Sequence, residues 1–288
     1  MEVISAKELS RYLKINEKKI YKLVQEARIP SLKIGGKIAF AREIIDRWIM
    51  ANTERGEQIL LAGSDDMLLR RIVDLYNSSG HSTAFYAPVG SMNGLALLRK
   101  GAATASPVHI LDTQSKDYNL SYVNRYLGDD PFVVTHLFLR EQGIYLQKGN
   151  PKGVRKLEDI PAKVLTIVNR NRGSGTRLLI DFLFHTLQID PATIKGYESE
   201  VASHLEAGLQ VLTGKVDAGF GIKYVAHLLG IDFVPQFTER FDLVIPEEHY
   251  HSSPIKALLG WFNQPQLLHH IGDFTGYDTS KMGSLIYP

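Results

Sequence analysis

The sequence predicts an α/β protein in two parts, a small helical head carrying a β-hairpin and a larger body of alternating strands and helices. Three observations carry this. Helix-period apolar stripes and a Gly-Gly turn crowd residues 1–52, and short apolar runs alternate with helical stretches from Glu57 onward. Charge is also divided: residues 1–56 hold twelve Lys/Arg against seven Asp/Glu, or +5, whereas the rest of the 288-residue chain holds 21 against 24, or −3. A basic head on a mildly acidic body assigns any polyanion contact to the head.

Composition excludes several chemistries. The chain has no cysteine, so disulfides, thiolate metal sites and cysteine nucleophiles are ruled out. No apolar run reaches the length of about 18 residues that a membrane-spanning helix needs. The opening Met1-Glu2-Val3-Ile4-Ser5 lacks a basic region followed by an apolar stretch, so no secretory signal is visible and a cytoplasmic location is expected.

In the head, Ser5 with Glu8 three residues later forms a helix-start signature, and Leu9, Tyr12 and Leu13 supply the apolar stripe. Lys14-Ile15-Asn16 interrupts it, and Asn16 is placed to cap a second helix with Ile20, Leu23 and Val24 on its buried side. Glu17, Lys18, Lys19, Tyr21 and Lys22 then fall on the early turns of that second helix. Residues 31–40 read as two short strands around Gly35-Gly36, a wing, and an amphipathic helix from Arg42 to about Met50 closes the unit. This pattern resembles the excisionase and MerR-like winged helix-turn-helix family, in which one helix enters the major groove and the wing lies along the backbone. The resemblance implies double-stranded DNA as a partner, with Lys18, Lys19, Lys22, Lys33, Lys37 and Arg42 on phosphates. Tyr21 either reaches the DNA or covers the small core. So small a head offers few base contacts, so a homodimer on a repeated or palindromic operator is expected.

In the body, Gln58 to Gly63 reads as a buried strand, with Ser64-Asp65-Asp66 starting a helix to about Tyr76. Residues 84–88 form a second strand, leading through Gly90-Ser91-Met92-Asn93-Gly94 into a helix over 95–100. Residues 133–146 are a long strand pair or crossover, and 164–168 another buried strand. After it, Gly173-Ser174-Gly175-Thr176-Arg177 precedes a helix over 178–187. Small residues there let backbone N–H groups approach a ligand while the helix N-terminus contributes positive potential, and Ser174, Thr176 and Arg177 add hydroxyls and charge. The segment also fits a plain glycine-rich turn with a helix cap. It is not a Walker loop, because the Gly-Lys-Ser/Thr ending is absent. Gly63-Ser64 and Gly90-Ser91 repeat the arrangement at strand-to-helix junctions, the edge where open α/β sheets bind ligands.

These junctions, with residues 109–112, 140–143, 149–151, 169–177, 217–222 and 228–244, resemble the type II periplasmic-binding-protein fold, especially binding-protein-like domains described as molybdate-binding. The resemblance implies two lobes, 58–135 plus the C-terminal tail and 144–239, joined by hinges near His136 to Gly143 and Arg240 to Pro246. It places Ser64, Ser91 and Asn93 on one side of a cleft and Ser174, Gly175, Thr176 and Arg177 on the other. It points to molybdate or tungstate as ligand, with no cofactor. Phosphate, which also needs an acceptor for its proton, stays open with Asp65 or Glu200 as that acceptor. Glu200 and His204 either line the same cleft or are a surface acid and a helix histidine. Arg140, at a hinge, either pairs with a carboxylate or counters the anion.

No catalytic serine or carboxylate set is evident, and the His249/His251 and His269/His270 pairs lack further ligands at metal-site spacing. The domain reading is therefore 1–52 for DNA and 58–288 for ligand, joined by a short linker near 52–57. The function expected is a one-component transcription regulator that senses an oxyanion. A DNA-architectural factor with a partner-binding module, or an enzyme on a small anionic substrate, are the alternatives.

Overall fold

The computed structural model describes residues 2–52, 58–80 and 82–288, so the linker expected near 52–57 lies, from residue 53 on, outside the described residues. The chain separates into two compact units, residues 1–56 and 57–288.

The head comprises β1 (Val3–Ser5), α1 (Ala6–Leu13), α2 (Glu17–Gln25), β2 (Leu32–Ile34), β3 (Lys37–Ala41) and α3 (Arg42–Asn52). Ser5 and Glu8 make the reciprocal capping box at α1, and Asn16 caps α2 by accepting from the Lys18 amide at 2.7 Å. Lys14, at φ 54°, turns the chain between the two helices and donates its amide back to Arg11. Beyond the expected hairpin, β1 adds a third strand, in the order β1-β3-β2. Leu9, Ile20, Phe40 and Ile45 are fully buried at the centre of the unit.

The body begins with β4 (Ile59–Gly63), α4 (Met67–Ser78), β5 (Ala84–Pro88), α5 (Ser91–Arg99), β6 (Ser106–Val108) and α6 (Leu120–Leu127). It continues with β7 (Phe132–Leu146), α7 (Asp159–Ala162), β8 (Ile167–Arg170), α8 (Gly175–Thr186), β9 (Glu200–Val201), α9 (His204–Leu212), β10 (Ala218–Ile222), α10 (Lys223–Leu229) and β11 (Asp232–Pro246). The tail holds α11 (Glu247–Tyr250), α12 (Ser253–Trp261), α13 (Pro265–Ile271), β12 (Tyr277–Asp278) and β13 (Leu285–Tyr287). The main sheet runs β6-β11-β7-β10-β8-β9, while β4 and β5 pair in parallel and Leu61 of β4 bridges to Ala105 beside β6.

Two strands of 15 residues each, β7 and β11, pair antiparallel along their whole length. Residues 133–146 are thus one continuous strand rather than a strand pair. Its two ends serve different cores. Leu137 and Phe138 pack with Ile59, Leu68, Phe241 and Trp261 in one lobe, and Ile144 and Leu146 pack with Ile167, Phe184 and Phe220 in the other. The change of lobe therefore falls between Phe138 and Ile144 on β7. On β11 it falls between Val234 and Phe241, earlier than the hinge expected at 240–246, because antiparallel register places Glu239 directly opposite Arg140.

Three boundaries differ from expectation in a way that bears on the site. The strand expected at 164–168 runs from Ile167 to Arg170, because Val164, at φ 52°, is held in a turn by Pro161. The helices expected from 95 and 178 begin at Ser91 and Gly175. What reads as a glycine- and hydroxyl-rich loop is the first helical turn, where the amides have no intrahelical acceptor and small residues leave them accessible.

Candidate functional site

In the head, the exposed face of α2 presents Lys18, Lys19, Tyr21 and Lys22, and the hairpin presents Lys33 and Lys37, all exposed. Tyr21 is 44% exposed, and Lys22 lies 3.6 Å from Glu26 on the following turn. Arg42 is less free. It donates to Glu2 at 3.1 Å and stacks over the Tyr12 ring at 4.8 Å, which fastens β1 to the start of α3.

In the body, four helices start at the junction between the lobes. The carboxyl ends of β4 and β5 deliver α4 and α5, and those of β8 and β9 deliver α8 and α9. Helix N-termini carry positive potential, so their convergence favours an anion. Gly90, at φ 88°, supplies the backbone conformation that starts α5, and its Cα side faces the Gly173 carbonyl of the other lobe. His109 packs against Gly175 so closely that a Cβ there would fall on the His109 carbonyl.

The residues lining this junction are buried. Ser64 and Ser91 lie Oγ to Oγ at 2.5 Å, and Ser91 Oγ also accepts from the His109 amide. One hydroxyl proton is used between the two serines, so the pair keeps one to donate. Ser174 caps α8, accepting from the Arg177 amide at 3.2 Å. Thr176 accepts from the Gln142 side chain at 2.9 Å, which leaves its own O–H to donate. His204 opens α9, and its backbone N–H donates to Asp65 Oδ2 at 3.3 Å.

Two arginines sit here with different surroundings. Arg140 is fully buried, donating to Asp66 at 2.6 Å and to its register partner Glu239, with Nη2 3.2 Å from His109 Nε2. Of the two roles open to it, pairing with carboxylates is the one the structure shows. Burial pushes both Asp66 and Glu239 above the usual carboxylate range, with Arg140 opposing the shift. Tyr277, from β12, donates a further hydrogen bond to Asp66 at 2.6 Å.

Arg170, the last residue of β8, is only 3% exposed and has no carboxylate at ion-pair distance among the described residues, although Asp65 and Glu206 lie near enough to favour its charge. Its Nη2 donates to the Ala202 carbonyl at 2.9 Å, but Nε and Nη1 have no hydrogen-bond partner among the described residues. Burial lowers its pKa, and burial first, with the charges of Arg140 and Arg170 second, holds His109 and His204 far below the ordinary imidazole value, so both are neutral. A buried guanidinium with unused donors, near two neutral imidazoles at a junction that also gathers hydroxyls and helix N-termini, can hold a compact anion whose oxygens accept from several donors.

The predicted ligand residues thus separate into two groups. Ser64, Ser91, Ser174, Gly175, Thr176 and His204 are brought to the junction. Asn93, Arg177 and Glu200 are not, and the expectation that they line it is corrected. Asn93 lies two residues past Ser91, about 200° around the helix, and is exposed, with its amide on the Val89 carbonyl. Arg177 stands in the same relation to Gly175: it pairs with Asp181 at 2.9 Å and Glu200 at 3.0 Å and stacks on Tyr197 at 4.5 Å. Glu200 alternates outward from buried Val201 and also meets Arg172. Arg170 was within reach of sequence reasoning as the residue ending a strand before the glycine-rich turn, but nothing local marks it as unpaired.

Among the described residues, no group of three or more His, Asp or Glu is placed to hold a metal ion, and no helix is long and apolar enough to cross a membrane.

Comparison with family models matches residues 74–263 to the PBP superfamily domain and residues 3–53 to a helix-turn-helix domain. Both are binding modules rather than enzyme families. The chain is 28% identical to the uncharacterized protein YvgK of Bacillus subtilis over 97% of its own length and 96% of that protein. Among solved structures, the tungstate ABC transporter protein of Geobacter sulfurreducens superposes with a TM-score of 0.57 at 15% identity, covering 76% of this chain and 99% of that one. A phosphate transporter substrate-binding protein of Clostridium perfringens, with bound phosphate, gives 0.58 at 11% identity, covering 81% and 100%. The effector-binding domain of a BenM variant gives 0.53 at 14%, covering 77% and 98%. At these identities the likeness is one of fold.

Proposed function

The chain belongs to the PBP superfamily and carries a helix-turn-helix domain at its N-terminus, and from that premise we propose that it is a one-component transcription regulator whose body senses a tetrahedral oxyanion. The observation that carries this reading is Arg170, a buried guanidinium whose Nε and Nη1 have no partner among the described residues. An unpaired buried charge is costly, and an anion offsets that cost when it binds.

Size and chemistry narrow the class. The lobes touch directly where His109 meets Gly175, which leaves little length for an organic effector. Hydroxyls, neutral imidazoles and helix-start amides are donors suited to a fully ionised dianion. The fold neighbours that bind tungstate and phosphate support an oxyanion in this cleft, and we assign molybdate or tungstate as the ligand. Binding in the body then alters operator affinity of the head, with two copies of the chain on the DNA and no cofactor.

The test is a melting-temperature series of the full-length protein with molybdate, tungstate, sulfate and phosphate, repeated with Arg170→Gln, alongside binding to operator DNA with and without the anion. A selective upward shift lost in the variant, with a change in DNA affinity, is expected. No shift with any of the four anions removes the oxyanion reading. A shift without any effect on DNA removes the regulatory one and leaves a binding protein.

A further inference from the structure

His204 is the one candidate ligand residue whose side chain has no partner at all among the described residues: both ring nitrogens are buried and unbonded. Its position is fixed by other means. Ser203 and Glu206 make a capping box at the start of α9, and the His204 backbone N–H is held by Asp65 across the cleft. The ring is thus held in place by its backbone rather than by its nitrogens, which a neutral imidazole leaves as one donor and one acceptor.

We propose that His204 contacts the bound oxyanion and takes up a proton as it binds, so that anion binding in this cleft is coupled to charging of one imidazole. This rests on the oxyanion reading of the same cleft.

The groups that face the ring are mainly cationic or neutral. From β8 comes Arg170, from β7 Arg140, and from the segment after β6 His109, all of which oppose a positive charge on His204; burial opposes it most. Asp65, from the loop after β4, sits at the backbone of His204 but is shared with Arg70 at 3.2 Å. Glu206 on α9 is occupied with the amides of Ala202 and Ser203. Asp66 and Glu239 lie behind Arg140 and are engaged by it. Without an anion, then, cations dominate the surroundings and the imidazole is neutral. A dianion among Arg170, Ser64, Ser91 and Thr176 reverses the sign of the nearest charge. The ring nitrogen that has no acceptor role to play toward an oxyanion then gains most by becoming a second donor.

The experiment is calorimetric titration of the full-length protein with tungstate, which stays fully ionised near neutrality, in two buffers of different ionisation enthalpy. Uptake approaching one proton per anion is expected, with affinity rising by up to about tenfold for each pH unit of acidification while the coupling lasts. His204→Gln keeps a donor in place and is expected to bind tungstate without uptake. A long-range proton–nitrogen spectrum of histidine-labelled wild-type protein reads the same event with no substitution, as one imidazole passing to the imidazolium form when tungstate is added. Tungstate binding with no uptake, or uptake that persists in His204→Gln, overturns the coupling while the oxyanion reading stands. Failure of the wild-type protein to bind tungstate, molybdate, sulfate or phosphate overturns both.

Discussion

Arg140 and Glu239 stand directly opposite one another on β7 and β11, at the point where the two long strands pass from one lobe to the other, and both are fully buried. The same guanidinium reaches Asp66 in the turn before α4, so one cation ties the two crossing strands to the loop between β4 and α4. Gln142, one strand step further, joins Glu239 to Thr176 at the start of α8. The floor of the cleft is therefore a single polar network with contacts into each lobe.

Arg140→Ala is expected to destabilise the body by about 3–5 kcal/mol, because it leaves two carboxylates in the interior without their cation. Arg140→Lys is expected to recover only part of this, since an ammonium cannot span Asp66 and Glu239 as a planar fork does. Urea unfolding of the three proteins measures both; equal stability of wild type and Arg140→Ala would refute the assignment.

A pH dependence follows from His109 and His204. Both are held well below the ordinary imidazole value by burial first and Arg140 and Arg170 second, so the unfolded chain binds protons that the folded chain refuses. Their contribution is complete above the unfolded value of about 6.5 and is lost as pH falls below it, at up to about 1.4 kcal/mol per pH unit for each histidine. Unfolding free energies of the anion-free protein measured from neutral to mildly acidic pH should show this slope. His109→Gln should reduce it by one proton.

Gly175→Ala places a methyl group against the His109 carbonyl and within 2.5 Å of its ring. The cheapest relief is separation of the lobes, each of which keeps its own core. Oxyanion affinity is expected to fall at least about tenfold, near 1.4 kcal/mol, with a smaller change in the melting temperature of the anion-free protein. An unchanged affinity would show that lobe contact at this point is not required.

For the head, Lys18→Ala and Lys22→Ala on the exposed face of α2 should leave the fold intact and lower the slope of log affinity against log salt by about 0.9 each, as expected for one released counterion. Fluorescence anisotropy on double-stranded DNA across a salt series measures it. Arg42→Ala, by contrast, should lower head stability as well, because that side chain bridges Glu2 and Tyr12.

Much of this architecture was legible from local signals. Ser5 with Glu8, Asn16, and the Gly35-Gly36 turn marked the elements of the head, and the repeated Gly-Ser junctions at 63–64 and 90–91 marked where the body's helices meet the cleft. Caps, turns and apolar periodicity act between residues a few positions apart, so the order of residues alone determines them. It also determined that hydroxyls and amides gather at strand-to-helix junctions, and the basic face of the head.

What the tertiary structure alone decided is which charges find partners. Arg177 looked like the anion's cation but is neutralised by Asp181 and Glu200, 23 residues away in sequence. Arg140 is matched to Asp66 and Glu239, 74 and 99 positions distant, and Asp65 accepts from the His204 backbone N–H, 139 positions distant. Arg170 carries no mark in its own segment of being a buried guanidinium with unused donors among the described residues. The cost of a buried charge depends on everything packed around it, and that surrounding is assembled from segments whose separation along the chain no local pattern encodes.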